Sequence, residues 1–413
     1  MNRIGTGAIA ALACITATGA LAAPRNDKVY AAVETNRAGA LDLLKQIVNI
    51  DSGTGDVEGG KRVIAVLAPR LKALGAQVRT ELAEAPGLPD NLLAVFHGSG
   101  KGRILIVAHF DTVFGPGTVA TRPFSIAGDR AHGPGVGDEK AGVVNAVTAL
   151  KILHDIGFKD YASITLLIED SEERGSPGAA KLIEHLAKQS DVEFNMEPGD
   201  PPDAITVWRK GAAGIHIAVQ GRAAHAGVAP QNGRNAAMEL IHQINTLEGV
   251  FPHSGDGITV NLTVMQAGTR NNIIPDHAEA VINVRFRKPA DFDRVLARIK
   301  DDAKKTAIPD TKVTVNYDPA FPPLTENPQI DALAARAQAI YAELGKTIAR
   351  GGNGGASESA LAMSVGTPAL DGLGLVGGDF HTDHEWIDLN SLVPRFYLFT
   401  RLLMETGAHP PTK

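Results

Sequence analysis

Two histidines and three carboxylates define the chemistry open to this chain. They are His109, Asp138, Glu173, Glu197 and His381, with a further carboxylate, Glu172, directly before the third. Imidazole and carboxylate donors together suit a borderline divalent ion such as zinc. A carboxylate among them can bridge two ions roughly 3.5–4 Å apart, which clamps both oxygens of a developing tetrahedral centre. Each residue has a plainer reading when taken singly. Asp138 could cap a helix, the Glu172-Glu173 pair could be solvated helix-entry charge, and Glu197 before Pro198 could be a loop acid.

Their surroundings argue for the joint reading. His109-Phe110-Asp111 follows the apolar run Ile104-Leu105-Ile106-Val107, and Glu172 and Glu173 follow Ile164-Thr165-Leu166-Leu167-Ile168. Glu197 closes the run around Phe194, and Asp138 ends the Gly-rich stretch Gly133–Gly137 just before a helical segment. Short continuous apolar runs read as buried strands. In open α/β sheets, ligand sites gather beyond the carboxyl ends of such strands. His381 lies far away in sequence, so it joins the site only if the C-terminal segment folds back.

The elements that must carry these residues form a pattern. Helical spacing over Ala38–Ile50 and Val63–Leu74 precedes strands at Leu92–Phe96 and Ile104–Val107, a helix at Ala141–Ile156 and a strand at Ile164–Ile168. A helix near Ala179–Leu186 then leads to the strand at Phe194. This is an α/β domain with a largely buried sheet. From Ala212 to Ala320 the order changes to strand, helix, strand, strand, helix, strand, the βαββαβ ferredoxin-like unit. Helices at Ile330–Leu344 and Leu392–Met404 then resume the first domain. The expected organisation is a catalytic domain in two parts, 23–211 and 321–413, around an inserted unit at 212–320.

The composition is that of a soluble globular protein, with 44% hydrophobic and 21% charged residues in 413. Its net charge is -6 and its basic residues are scattered, which argues against a nucleic-acid partner. Residues 1–22 differ from the rest. Arg3 is followed by a small, apolar stretch to Leu21, and Ala20-Leu21-Ala22 fits a signal-peptidase cut before Ala23. The stretch falls short of the roughly 20 residues of a spanning helix, so export to the periplasm or medium, without a stable membrane anchor, is expected. Cys14, the single cysteine, lies inside it, which leaves the mature chain without a thiol.

The motifs AHFDTV, GPGVGDEKAG, EDSEERGS, MEP, GRAAHAG, NNIIP and FHTDHE occur in that order. With them the chain resembles the di-zinc aminoacylase and carboxypeptidase superfamily, and within it the bacterial glutamate carboxypeptidases of the folate-cleaving type. The resemblance covers essentially the whole chain. It implies a mixed-sheet zinc-exopeptidase domain with an inserted dimerisation and lid domain. It implies two Zn2+ per chain, with Co2+ or Mn2+ as substitutes: one held by His109 and Glu197, the other by Glu173 and His381, and Asp138 bridging them. Asp111 then orients His109, and Glu172 is the base that activates water and protonates the leaving amine. A cis peptide after Asp138 is implied as well. His225 would reach into a partner's site within a homodimer to stabilise the oxyanion, and Asn272 and Arg285 would hold the substrate α-carboxylate.

Two positions depart from that pattern. Glu358 stands where the family's Gly-rich loop has Asp, and Asp318 stands where glutamate-specific relatives have Arg before Pro-Ala-Phe. An anion in place of a cation argues for a neutral or basic substrate side chain, unless Arg209 or Lys210 compensates. The expected activity is hydrolysis of the amide bond to a C-terminal amino acid. The alternatives are an aminoacylase acting on N-acyl amino acids and a non-catalytic exported binding protein on the same fold.

Overall fold

The structure is a computed structural model that describes residues 23–248 and 257–411. The expected signal segment, with Cys14, lies outside them. No helix among the described residues is long and apolar enough to cross a membrane.

A six-stranded mixed sheet organises the chain. Its order is Gln77–Glu81, Asn91–His97, Ser163–Glu169, Arg103–His109, Val192–Asn195, Ala369–Leu370. The first two pairings are antiparallel and the next three are parallel. The parallel centre matters for function. It brings the carboxyl ends of Arg103–His109, Ser163–Glu169 and Val192–Asn195 to one edge.

Alternation along the central strand explains why it is apolar throughout. Ile104, Ile106 and Ala108 belong to one core cluster and Leu105 and Val107 to another, all essentially without exposure. The first face is covered by helices Asp27–Val48, Ala141–Asp155 and Leu392–Ala408, the second by Ala180–Gln189 and Ser359–Ser364. A strand buried on both sides has no polar alternation, as parallel sheets require.

The second sheet has the order Thr259–Ala267, His277–Phe286, Gly211–Gln220, Lys312–Phe321, with every pairing antiparallel. Helices Ala236–Glu248 and Pro289–Asp302 pack on it around a separate core that includes Ile215, Ile217, Val219, Ile282 and Val284. This is the expected βαββαβ order. Its other face carries Ala212, Gly214, Asn283 and Arg285 toward the site.

Several elements differ from the sequence expectation. The first helix begins at Asp27, capped by the Asn26 side chain on Val29 N–H, because only a thin stripe of Val29, Val33 and Asn36 is buried before Ala40. The second begins at Val57 after the Asp56 cap and continues through Gly59, Gly60 and Pro69. Strand Ala204–Arg209, which pairs in parallel with Ala349–Asn353, was not anticipated. Nor was the small sheet of Ser125–Ala127, Arg130–His132, Gly377–Gly378 and Trp386–Asp388. Strands of two to six residues give too little periodicity to read.

Candidate metal centre

Each candidate ligand sits beside the end of a strand or in a turn that the surrounding structure fixes. His109 is the last residue of its strand, with no exposure. Glu172 and Glu173 begin a single 3-10 turn just after Glu169. That turn is tied back by the buried Glu169 carboxylate, which accepts bonds from Ser171 N–H (2.8 Å), the Ser171 hydroxyl (2.7 Å) and the Ser176 hydroxyl. Glu197 follows Met196, whose N–H donates to Val107 O at 3.1 Å. Helix Ala141–Asp155 approaches here so closely that a Cβ on Gly142 would lie 2.1 Å from Met196 O.

Asp138 lies in a tight turn after Gly135, whose φ is +69°, and the Asp138–Glu139 peptide is cis as the resemblance implied. A residue absent from the expected site holds this turn. Glu385, 1% exposed, accepts N–H bonds from Gly135 (3.1 Å), Gly137 (2.8 Å) and Asp138 (3.0 Å). Glu385 lies four positions after His381, so it also fastens the segment that brings His381 in. His381 has a φ of +63°, a left-handed backbone that non-glycine residues rarely adopt.

The five candidate ligands converge, with His109, Glu197, Glu173 and His381 gathered around the two oxygens of Asp138. Oδ1 lies 3.2 Å from His109 Nε2, and Oδ2 lies 3.1 Å from His381 Nε2. Glu197 Oε1 is 3.5 Å from His109 Nε2, and Glu173 Oε2 is 3.1 Å from His381 Nε2. Two triads result, His109–Asp138–Glu197 and Asp138–Glu173–His381, each with donor atoms within 4.8 Å of one another. The buried atoms His109 Nε2, Asp138 Oδ1 and Glu173 Oε1 have no hydrogen-bond partner. Buried polar atoms normally have one, and divalent ions fit these three in donor type and placement.

Asp111 stands behind this arrangement. Its Oδ1 lies 3.2 Å from His109 Nδ1, so Nε2 is the ring atom turned to the cluster. The same carboxylate accepts the N–H groups of Glu172 (3.2 Å) and Glu173 (3.4 Å) and the Thr54 hydroxyl (2.6 Å). One acid therefore aligns a histidine and both adjacent glutamates. Glu172 has its Oε2 3.9 Å from His109 Nε2 and also forms a third buried donor group with Glu197 and Glu358. Burial, then the Glu197 charge, pushes its carboxyl well above the usual range. A carboxyl with that bias can hold a proton that it later gives up.

Charge compression pervades the site. Burial and then Glu169 push Glu358 up to about 8. Burial pushes Glu173 up to about 7. Burial opposes the charge on His109, yet the neighbouring carboxylates of Asp111, Asp138 and Glu197 raise it well above its ordinary value. Hydrogen bonds to Asp138 and Glu173 raise His381 to about 10. Such crowding of like charges is what bound cations relieve.

A cavity of about 490 Å³ opens onto the cluster. Glu172, Glu173, Glu197 and His381 line one side of it, and Ala212, Gly214, Asn283 and Arg285 line the side of the second sheet. Arg285 is half-buried and donates from Nε to Asn283 Oδ1 at 3.1 Å.

The other expected residues lie elsewhere. Neither His225 nor Asn272 lines this cavity; both are exposed. They neighbour each other, because His225 pairs with Ile273 and Ala226 N–H donates to Asn272 O at 3.0 Å. Within one chain Asn283, not Asn272, accompanies Arg285. His225 Nδ1 accepts the N–H groups of Gly227 and Val228, both at 3.1 Å, which leaves Nε2 outward. Asp318 does not line the cavity either: its side chain is 82% exposed and pairs with His216 Nε2 at 2.9 Å. The expectation that Asp318 selects the substrate side chain has no support from that position. Arg209, the suggested compensating cation, is instead buried against Asp371 and Glu197.

Comparison with known proteins follows the same lines. Residues 105–405 match the profile described as Peptidase family M20/M25/M40. The chain is 32% identical to Carboxypeptidase G2 of Pseudomonas sp. (strain RS-16) over 411 residues, covering 99% of each. It is 29% identical to the succinyl-diaminopimelate desuccinylase of Beijerinckia indica subsp. indica, covering 88% of this chain and 98% of that one. The solved M20 family metallo-carboxypeptidase from Sulfolobus solfataricus shares the fold, with a TM-score of 0.71 at 18% identity, over 89% of this chain and 99% of that one.

Proposed function

The chain belongs to Peptidase family M20/M25/M40, and from that premise we propose that it is an exported, zinc-dependent exopeptidase that releases a C-terminal amino acid. Family membership makes it a hydrolase of peptide or acyl-amino-acid bonds, which sets aside a purely binding role. The observation that carries the finer reading is the division of Asp138, one oxygen toward His109 and the other toward His381. That division supports two ions per chain: one on His109, Asp138 and Glu197, the other on Asp138, Glu173 and His381. Zinc is the proposed metal for this donor set, with cobalt or manganese as substitutes.

When bound, such a pair supplies Lewis-acid polarisation of the scissile carbonyl and a nucleophile at neutral pH. The chain's own residues do the rest. Glu172 takes the proton of the attacking water and returns it to the leaving amine nitrogen. Its place beside His109 and Glu197, on the wall of the cavity, supports that role. Asp111 keeps His109 and the Glu172–Glu173 turn in register. Arg285 anchors the α-carboxylate, a contact suited to a guanidinium, and its half-burial in the cavity wall strengthens such a pair.

We assign 212–320 as an inserted lid and dimerisation domain between 23–211 and 321–413; its separate hydrophobic core supports this. Strand Thr259–Ala267 is a sheet edge with Leu262, Val264 and Met265 exposed, and Met238 and Ile241 are exposed on the adjoining helix. Open apolar edges favour pairing with a second copy. In a homodimer His225 and Asn272 of one copy serve the other's cavity, which accounts for their distance from it in a single chain. Residues 1–22 direct export.

Hydrolysis of N-acyl amino acids is the second reading, favoured by the likeness to a protein named as a desuccinylase. One experiment separates the two. Metal content is measured on the purified protein, and a panel of dipeptides and N-acyl amino acids that vary only in the C-terminal residue is assayed. Two zinc ions per chain with dipeptides turned over faster is the expected result. Preference for the acyl series selects the second reading, and a chain without metal that still hydrolyses either series overturns both.

A further inference from the structure

Arg209 was expected only as a cation compensating for Asp318, yet it is the one arginine side chain in contact with a candidate ligand among the described residues. It ends strand Ala204–Arg209 and is 4% exposed. Its Nε and Nη2 grip Asp371 at 2.7 and 3.0 Å. Asp371 is itself locked by the hydroxyls of Ser357 (2.5 Å) and Ser359 (2.7 Å). The same Nη2 donates to Glu197 Oε2 at 3.2 Å. The opposite oxygen, Oε1, is the one that faces His109 Nε2.

We propose that Arg209 is a positioning residue that restricts Glu197 to one-oxygen donation and so keeps a coordination position open on the His109 side. The inference rests on reading His109, Asp138 and Glu197 as metal ligands. A carboxylate beside a divalent ion can close onto it with both oxygens. Here the second oxygen is engaged by a buried cation, and Asp371 prevents that cation from swinging away. The consequence is a matter of counting donors. His109, Asp138 and one oxygen of Glu197 make three, which leaves the open position of a catalytic site. A second oxygen would make four, the closed set of a structural one. A cation so near a metal ligand is costly by itself, and the Asp371 carboxylate offsets it. A buried Asp371–Arg209 pair aimed at a single ligand oxygen is thereby explained.

The test uses Co2+ as probe in a His381→Ala background, which leaves the His109 site alone. Arg209→Gln combined with Asp371→Asn removes both buried charges together. If Glu197 is released to chelate, the double variant holds Co2+ more tightly, by about tenfold, the equivalent of about 1.4 kcal/mol from one added donor. Its visible d–d absorption also weakens, as it does when cobalt gains donors. Thermal unfolding checks that the variant is folded. A folded double variant with the parent's affinity and spectrum overturns the proposal, as does one that binds Co2+ more weakly. If the double variant does not fold, Arg209→Gln alone is read instead. It leaves Asp371 held by the hydroxyls of Ser357 and Ser359, so the d–d absorption is the readout; weaker absorption is expected, and an unchanged absorption overturns the proposal. A parent that binds no Co2+ at all overturns the ligand assignment rather than the role of Arg209.

Discussion

Stripping the metal should make the fold lose stability as pH rises, and the size of the effect follows from the groups packed around Asp138. In the metal-free chain burial pushes Glu173 up to about 7, Glu358 to about 8 and Asp170 to about 9. Hydrogen bonds to Asp138 and Glu173 raise His381 to about 10. Each group keeps its proton in the folded chain over a range where the unfolded chain has released it. The folded state then binds more protons than the unfolded state from about pH 4.5 upward, and stability falls with rising pH; above about pH 8 the buried Lys140, lowered to about 8, begins to oppose this. Each excess proton contributes about 1.4 kcal/mol per pH unit. Near pH 6 the excess lies on Glu173, Glu358 and Asp170. Near pH 8 it lies on Asp170 and His381, and the share of His381 is reduced by screening because its side chain is 52% exposed. A slope of about 4 kcal/mol per pH unit near pH 6 results, falling to about 2 near pH 8. Bound divalent ions favour the ionised Glu173 and the neutral imidazole of His381 and ease the charge on Glu358, which removes their share of the slope and leaves that of Asp170. The gap in Tm between the loaded and the chelator-treated protein should therefore widen by several degrees between about pH 5.5 and about pH 8.5. Calorimetry at three pH values, with and without chelator, measures it. A gap that stays constant would refute the reasoning, because it would mean that these groups titrate alike in both forms.

Further outcomes are expected from the same geometry. Glu172→Gln should keep the metal content and lose about 10²–10⁴-fold in kcat, whereas Glu173→Gln should lose metal first; elemental analysis beside kinetics separates them, and like behaviour would merge the two roles. Arg285→Ala should raise KM for every substrate with a free α-carboxylate by about 10–100-fold, the equivalent of a lost charge-assisted bond, with little change for a C-terminally amidated analogue. Glu385→Ala should leave the N–H groups of Gly135, Gly137 and Asp138 without their acceptor; a loss of about 3 kcal/mol or more in denaturant unfolding is expected, with weaker metal retention. Val264→Lys on the exposed edge strand should yield monomers by light scattering and lower kcat, if His225 acts across a dimer.

Much of the site was legible in the residues alone. Apolar runs that end in His109, in Glu172-Glu173 and in Glu197 announce strands whose carboxyl ends share one sheet edge, because parallel pairing leaves no other arrangement for buried strands joined by helices. The βαββαβ order was equally readable from its alternating strands and amphipathic helices. What the residues could not announce was any relation set by contacts between distant segments. That Glu385 binds the turn around Asp138, that Arg209 lies against Glu197 through Asp371, and that Asn283 rather than Asn272 stands beside Arg285 all depend on chain reversals with no local signature. Asp318 shows the converse: adjacent to Pro319-Ala320-Phe321 in sequence, it is turned out to His216 by the strand, while Ala320 and Phe321 line the cavity. Side-chain type and local periodicity report which groups can do chemistry and on which element they ride. Which of them meet, and which oxygen of a carboxylate faces which neighbour, is decided only when the sheets and the loops between them close on one another.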